Sequence, residues 1–256
     1  MAEKDFFRIA KLVGNTPLIE ILQTSNGSRV LAKLEYYNPS GSVKDRAVKE
    51  MLEAGLKSNE LTNRTIIEAT SGNTGISVAM FGSALSLPVK LIMPETASVE
   101  RKKIVACYGA VAVLTSGLEG TDGAQREAAA IVAADPKQYF QPDQYNNENN
   151  WYAHFTGTGT EIWEQSVGKV THFVAGMGTS GTFVGASRYL INHKVHCISI
   201  QPNNPMHGIE GWKHLATAIV PGIYDETLAE SVLHIETDVA YKFAVAASRY
   251  LGHALS

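Results

Sequence analysis

The chain has 256 residues, is 45% hydrophobic and 18% charged, and carries a formal net charge of −3. That length can bury one large core or two lobes, and the weak acidic balance argues against nucleic-acid and membrane-surface partners. The opening "MAEKDFFRIAKLVGN" mixes both charges, which predicts neither a secretory signal nor a transit peptide, and no apolar run approaches bilayer length. Cys107 and Cys197 stand in the apolar contexts "IVACYGA" and "VHCISI" and read as buried free thiols of a reducing compartment. Together these features predict a soluble, cytoplasmic protein.

In chain order, β-branched runs alternate with helical segments. Strands are predicted in "RVLAKLEYY" (29–37), "RTIIEAT" (64–70), "PVKLIMP" (88–94), "GAVAVLT" (109–115), "THFVAGMG" (171–178), "KVHCISIQP" (194–202) and "ESVLHIE" (230–236). Helices are predicted between them in "DRAVKEMLEAGLK" (45–57), "TGISVAMFGSALS" (74–86), "SVERKKIVACYG" (98–109), "TDGAQREAAAIVAAD" (121–135) and "GTFVGASRYLINH" (181–193). Such alternation predicts an α/β fold with a mainly parallel sheet. The Asn-rich "QPDQYNNENNWY" (141–152) reads as an ordered crossing loop between lobes, because Tyr145, Trp151 and Tyr152 lie within it.

Three loops carry chemistry. In "YYNPSGSVKDRAVK" (36–49), Pro39 and Gly41 break the chain, Ser42 stands as a candidate N-cap, and Asp45 completes a capping box three residues later. Lys44 then falls in the first turn of a helix, where the macrodipole disfavours a cation by about 0.3–1 kcal/mol. Such a lysine is either a solvated side chain or an amine wanted in its neutral form, as a Schiff-base former or a general base.

The second loop, "EATSGNTGISVAM" (68–80), runs from a strand through Thr70-Ser71-Gly72-Asn73-Thr74-Gly75 into an apolar helix. Backbone N–H groups, hydroxyls and a helix N-terminus converge there, as they do around a carboxylate or phosphate; a plain capped strand–turn–helix is the alternative. In the third, "FVAGMGTSGTFVG" (173–185), Gly176, Gly178 and Gly181 fit G-x-G-x-x-G, so a dinucleotide fold is a rival. The next strand ends in Gln201-Pro202 and not in the acidic residue that a ribose needs, so Thr179, Ser180 and Thr182 suit one phosphate monoester better. A lysine amine used together with a phosphate loop points to pyridoxal 5′-phosphate.

The chain resembles the cysteine synthase family of the tryptophan-synthase-like, type II pyridoxal-phosphate fold. The motifs that carry the resemblance are "VGNTPLIEI" (13–21), "NPSGSVKDRA" (38–47), "EATSGNTG" (68–75), "LIMPETASVERKKIVACYGAVAVLT" (91–115) and "GMGTSGT" (176–182), in that order. The match runs from about residue 9 to the end, and "GMGTSGT", "IQPN", "GIEGW" and "IVPGIYDETL" are closer to B-type than to A-type O-acetylserine sulfhydrylases. The resemblance implies two lobes, each a mainly parallel sheet flanked by helices. Residues 36–145 would form a smaller, mobile substrate-carboxylate lobe, and 1–35 plus 146–256 a larger cofactor-phosphate lobe.

It also implies roles. Lys44 would hold the cofactor through its amine and act as the base at Cα. Asn73 would bond the cofactor's ring oxygen, and Gly178, Thr179, Ser180, Gly181 and Thr182 would hold its phosphate. Thr70, Ser71, Gly72 and Thr74 would grip the substrate carboxylate with help from Gln144, while Gly208-Ile209 would close over the substrate. The implied reaction is β-replacement, making L-cysteine from O-acetylserine and sulfide or thiosulfate, in a homodimer that could also dock serine acetyltransferase. Alternatives within the fold are cystathionine formation, serine or threonine elimination and O-phosphoserine sulfhydrylation. Outside catalysis, the alternative is a catalytically impaired homologue that binds cofactor or partners.

Two departures from the family pattern stand out. The family's final Gly-Ser-Ser-type loop, whose serine meets the pyridine nitrogen, would fall beyond "ASRYLGHALS", with Ser256 one or two positions early. This predicts a shortened C-terminal end and leaves the pyridine nitrogen without an assigned partner. In "TGTGTEIW" (156–163), Thr160 replaces a family proline and is expected to cap a helix start. Trp151, Trp163 and Trp212 read as packing residues, His193 and His196 lack any metal-binding pattern, and Lys213 reads as solvated, with contact to an anionic substrate as the alternative.

Overall fold

The computed structural model describes residues 2–251, so Ser256 lies outside the described residues. Helix α1 (Ala2–Ala10) precedes an antiparallel hairpin of β1 (Leu18–Gln23) and β2 (Arg29–Lys33). Then come α2 (Lys44–Lys57), β3 (Thr65–Ala69), α3 (Asn73–Ala84), β4 (Val89–Pro94), α4 (Val99–Cys107), β5 (Val111–Thr115), α5 (Gly120–Ala134) and β6 (Tyr139–Phe140). A helical run follows, made of α6 (Glu148–Ala153), a π-helical turn (His154–Gly159) and α7 (Thr160–Gln165). The chain continues through β7 (His172–Gly176), α8 (Gly181–Leu190), β8 (His196–Pro202), β9 (Ser231–Ile235) and α9 (Thr237–Leu251).

Two parallel sheets organise these elements, as the strand–helix alternation predicts. One has the order β5-β4-β3-β6 and the other β7-β8-β9. Helices cover both faces of the four-stranded sheet, so β3 and β4 are apolar almost throughout, the pattern of strands buried on both sides. Period-two alternation divides their side chains between two cores. Ile66, Leu91 and Met93 join Met51 of α2 and Phe81 of α3, while Ile67 and Ile92 meet Ala124 and Ala128 of α5. Phe6 of α1 packs on Phe81 with ring centroids 5.2 Å apart, which docks α1 on the first of these cores. A third core, containing Phe173, Met177, Phe183, Val184 and Cys197, lies beneath α8.

Four local expectations are corrected. Asn147 accepts a bond from Asn149 N–H at 3.0 Å and caps α6, so the second half of the Asn-rich segment is helix and not loop. Thr160 lies inside the helical run, where its hydroxyl donates to Phe155 O at 3.2 Å, a π-type reach five residues back that serves no cap. Cys107 is exposed, because it falls two positions past the buried Val105 on α4 and so on the opposite face, while Cys197 is buried as expected. Val43, not Ser42, precedes the first turn of α2, and the Asp45 carboxylate bypasses Ser42 to accept Ser40 N–H at 2.7 Å. Gly41, at φ +88°, turns the chain so that Ser40 faces the helix start.

The tryptophans pack as expected. Trp163 stacks on His193 at 4.1 Å, and Trp151 lies under the Arg188 guanidinium at 4.2 Å. Phe81 is fully buried where α1, α2 and α3 meet, so Phe81→Ala should cost about 3–5 kcal/mol through lost contacts and a cavity. A urea titration should show this as a lower midpoint at unchanged slope.

Candidate active site

Lys44 is the first residue of α2, as its spacing predicts. Its side chain is half-buried, and its amine has no hydrogen-bond or ion-pair partner among the described residues. Burial pushes its pKa below the usual lysine range, against the opposing charge of Glu35. Its neighbour Asp45 is fully buried and links α2 to α3 by accepting from Ser77 Oγ at 2.6 Å, besides both donors of Ser40. Burial raises the Asp45 pKa, and the bonds from Ser40 and Ser77 oppose that rise.

Two residues on, Arg46 anchors the same turn in a buried charge cluster that sequence reading missed. It meets Glu35 through Nε at 2.7 Å and Nη2 at 2.9 Å, and Glu161 through Nη1 and Nη2, both at 2.7 Å. Lys33 Nζ reaches Glu161 Oε2 at 2.7 Å. Burial alone would raise the Glu161 pKa, but hydrogen bonds from Arg46 and Lys33 outweigh it and hold the carboxylate at about 2.

The loop after β3 leads directly into α3, with one side chain turned inward. The buried Thr70 Oγ accepts Gly72 N–H at 3.0 Å and Gly75 N–H at 3.3 Å, which caps the entry to α3. The first N–H groups of α3, those of Asn73 and Thr74, have no backbone acceptor among the described residues. Asn73 is exposed at the helix start and Ser71 and Gly72 are half-buried, whereas Thr74 is buried and donates to Gln144 Oε1 at 2.6 Å. The Gln144 amide donates to Ala69 O at 2.9 Å, so its side chain braces the loop from below. Beneath it Glu68 is fully buried. Desolvation and the nearby Asp143 charge raise its pKa to about 8, although Asp143 N–H donates to it at 2.9 Å.

The Gly178–Thr182 loop ends β7 and opens α8, with Ser180 in left-handed conformation at φ +68°. Ser180 Oγ is buried and has no hydrogen-bond partner among the described residues, at a helix N-terminus. Two further residues that sequence reading missed gather these loops. Asn150 Nδ2 donates to Gln144 O at 2.6 Å and to Thr179 Oγ1 at 3.1 Å, joining the carboxylate-type loop to the phosphate-type loop. His154 pairs through Nε2 with Thr182 Oγ1 at 3.3 Å and through Nδ1 with Thr158 Oγ1 at 2.9 Å. Burial and the positive charges of Arg46 and Lys44 hold His154 well below its usual pKa, so it is neutral, and its ring lies within the electrostatic reach of Lys44. The signal was available: Asn150 and His154 stand four apart, on one face of a helix.

Gly208 is exposed, and its backbone bonds Thr237 and Tyr241. The expectation for Lys213 is corrected: it is only 8% exposed and pairs with Asp122 at 2.5 Å over the Tyr145 ring, so it is not solvated. A large cleft lined by Asn146, Trp151, Arg188, Gln201 and Asp225 contains none of these loop residues.

A sequence profile described as "Pyridoxal-phosphate dependent enzyme" matches residues 9–253. A cysteine synthase of Aquifex aeolicus (strain VF5) is 48% identical over 244 residues, covering 92% of this chain and 75% of that protein. The chain belongs to the cysteine synthase family. Within this pyridoxal-phosphate dependent family it is nearer the B-type. Cysteine synthase B of Salmonella typhimurium is 40% identical (91% and 77% covered), against 36% for cysteine synthase A of Escherichia coli (also 91% and 77%). The crystal structure of the Entamoeba histolytica cysteine synthase superposes with a TM-score of 0.88 at 35% identity, covering 95% of this chain and 76% of that one.

The residues present fit the cofactor of this cysteine synthase family. Lys44, whose amine has no partner among the described residues, lies within electrostatic reach of His154, which bonds Thr182 in the loop that carries the unpartnered, buried Ser180 hydroxyl. Asn150 and His154 link that loop to the rest of the cluster.

The two perturbed glutamates act on stability in opposite pH windows. For Glu161 the unfolded chain binds more protons between about pH 2 and 4.5, so its contribution is present above that window and lost on acidification through it. For Glu68 the folded chain holds the proton up to about pH 8, so stability falls as pH rises from 4.5 to 8. Thermal melts across pH should show Glu161→Gln flattening the limb below about pH 4.5 and Glu68→Gln flattening the decline between about pH 4.5 and 8.

Proposed function

We propose that this protein makes L-cysteine by β-replacement, from O-acetylserine and a sulfur donor, sulfide or thiosulfate. The observation that carries the reading is Lys44: an amine at the start of α2, short of water, without a partner, and held toward its neutral form. Pyridoxal 5′-phosphate, when bound, supplies the electron sink that acidifies the substrate's Cα–H. In this reading Lys44 would hold the cofactor through its amine and, when free, would serve as the base at the substrate's Cα. Burial favours each of these roles, because all require the free amine.

The other roles follow from hydrogen-bonding capacity. Ser180 Oγ, with Thr179, Thr182 and the N–H groups around Gly178 and Gly181, receives the phosphate, and the neutral His154 orients Thr182 from behind. Asn73, exposed at the start of α3, is free to bond the ring oxygen. The substrate carboxylate lies against Ser71, Gly72 and the unpaired N–H groups of Asn73 and Thr74. Thr70, Gln144 and the side chain of Thr74 shape that cradle instead of donating to it, since their polar atoms already bond one another or the backbone. Gly208 and Ile209 cover the substrate.

The same reading makes 36–145 the smaller, mobile substrate lobe and 1–35 plus 146–256 the larger cofactor lobe, with α1 packed against the former. It carries with it a cytoplasmic homodimer and a carboxylate cradle able to take the C-terminus of serine acetyltransferase. Among the described residues no helix is long and apolar enough to cross a membrane.

The test is to supply pyridoxal phosphate, reduce with borohydride and map the modified peptide. Label on Lys44, together with cysteine formed from O-acetylserine and sulfide, is expected. Lys44→Ala should lose both by at least about 10³-fold. Label elsewhere, or none, would overturn the assignment.

A further inference from the structure

Residues 208–219 connect parts of the molecule that the site keeps apart. On one side the segment lies on the phosphate-type loop: Lys213 N–H donates to Met177 O at 2.7 Å, and a Cβ on Gly178 would collide with Gly211 O. On the other it is fastened to α4 and α5. Glu210 Oε2 pairs with Arg101 Nη2 at 2.6 Å, and Lys213 Nζ pairs with Asp122 Oδ1 at 2.5 Å. The second oxygen of Asp122 accepts Ile219 N–H at 2.8 Å. Arg101 also reaches Ser71 O at 3.5 Å, and its guanidinium sits where a Cβ on Gly72 would come within 3.3 Å of it. A single short segment thus touches the phosphate-type loop directly and the carboxylate-type loop through Arg101.

We propose that residues 208–219 are a strap that holds α4 and α5 over the substrate loop. Arg101, Glu210 and Asp122 act in it as positioning residues that set how tightly the amino-acid substrate is retained. The two clasps differ in kind. Lys213 and Asp122 have side chains only 9% and 24% exposed, so their charge-assisted bond is shielded from salt and persists. Glu210 is 63% exposed, so its bond to Arg101 is weak, screened by ions and releasable. The deep clasp keeps the strap on α5, and the shallow one opens and closes beside Ser71 and Gly72. Opening it frees Arg101 to swing from the backbone that would receive the carboxylate, which couples substrate entry to the strap without a change at Lys44.

The proposal rests on the reading of residues 70–74 as the substrate loop, and its test separates the two. Amide exchange of the unliganded protein and steady-state kinetics with O-acetylserine are measured for wild type, Glu210→Gln, Asp122→Asn and the charge swap Arg101→Glu/Glu210→Arg. Glu210→Gln should raise the O-acetylserine KM about two- to fivefold at low salt with kcat within about twofold. KM of wild type should rise with salt, and Glu210→Gln should abolish that rise. Asp122→Asn should raise KM about tenfold or more and speed exchange across 208–213. The charge swap should recover most of the Glu210→Gln loss. Wild-type KM, salt response and exchange in Glu210→Gln would overturn the strap, as would failure of the swap to recover KM. If wild type makes no cysteine, the proposed function falls, and the exchange data still decide whether Glu210 and Asp122 hold the strap.

Discussion

The Arg46 guanidinium, held between Glu35 and Glu161, is the interaction on which the site depends. A guanidinium offers five N–H donors in a fixed plane, and here four contacts to two carboxylates and one to Thr16 use that plane. The contacts fasten the first turn of α2 to Glu35 in the turn that follows β2 and, 115 residues away in the chain, to Glu161 of α7. A buried ion pair gives little net stability over an apolar core, but removal of one partner strands the other, so the geometry is tightly specified. Lys44 is two residues away on the same turn. Its amine can stay without a partner in a poorly solvated place because the turn that carries it is held by its neighbours and not by Lys44 itself.

Polar economy explains the rest of the cluster. Asp45, Thr70, Thr74, Gln144, Asn150 and His154 are all buried, and each has its hydrogen-bonding capacity met by another loop or by the backbone. Such networks rigidify when satisfied and are costly when not. The groups left over are the Lys44 amine, the Ser180 hydroxyl and the first N–H groups of α3. They are nucleophilic or hydrogen-donating, which suits a ligand that is both anionic and electrophilic. Residues 208–219 complete the arrangement from outside, since Gly211 and Lys213 lie on the phosphate-type loop while Glu210 and Lys213 face charges on α4 and α5.

Much of this was legible in the chain. Residues with strong local signals, such as the β-branched runs of β3, β4 and β8 and the helical periods of α2, α3 and α5, form the expected elements. The three glycine- and hydroxyl-bearing loops fall at strand ends or helix starts as their composition requires. Where the reading failed, a distant partner decided the outcome. Asp45 would cap its own helix through Ser42, but Ser77 of α3 and Ser40 compete for the carboxylate. Lys213 would be solvated, but Asp122, 91 positions away, meets it in a buried setting. Thr160 would cap a helix, but the helix had already begun at residue 148.

The sequence by itself determined most strands of the two parallel sheets and helices α2, α3, α4, α5 and α8 between them, where the chemical loops lie, and that Lys44 stands at a helix start. Those are consequences of periodicity, turn residues and capping, which act over a few positions. The tertiary structure alone decided that Lys44 is free while Arg46 is bound, and that Glu68 holds its proton while Glu161 gives its up. It also decided that Asn150 and His154 join loops which no short-range rule connects. Burial and charge pairing cause those differences, and both depend on neighbours brought together only by folding.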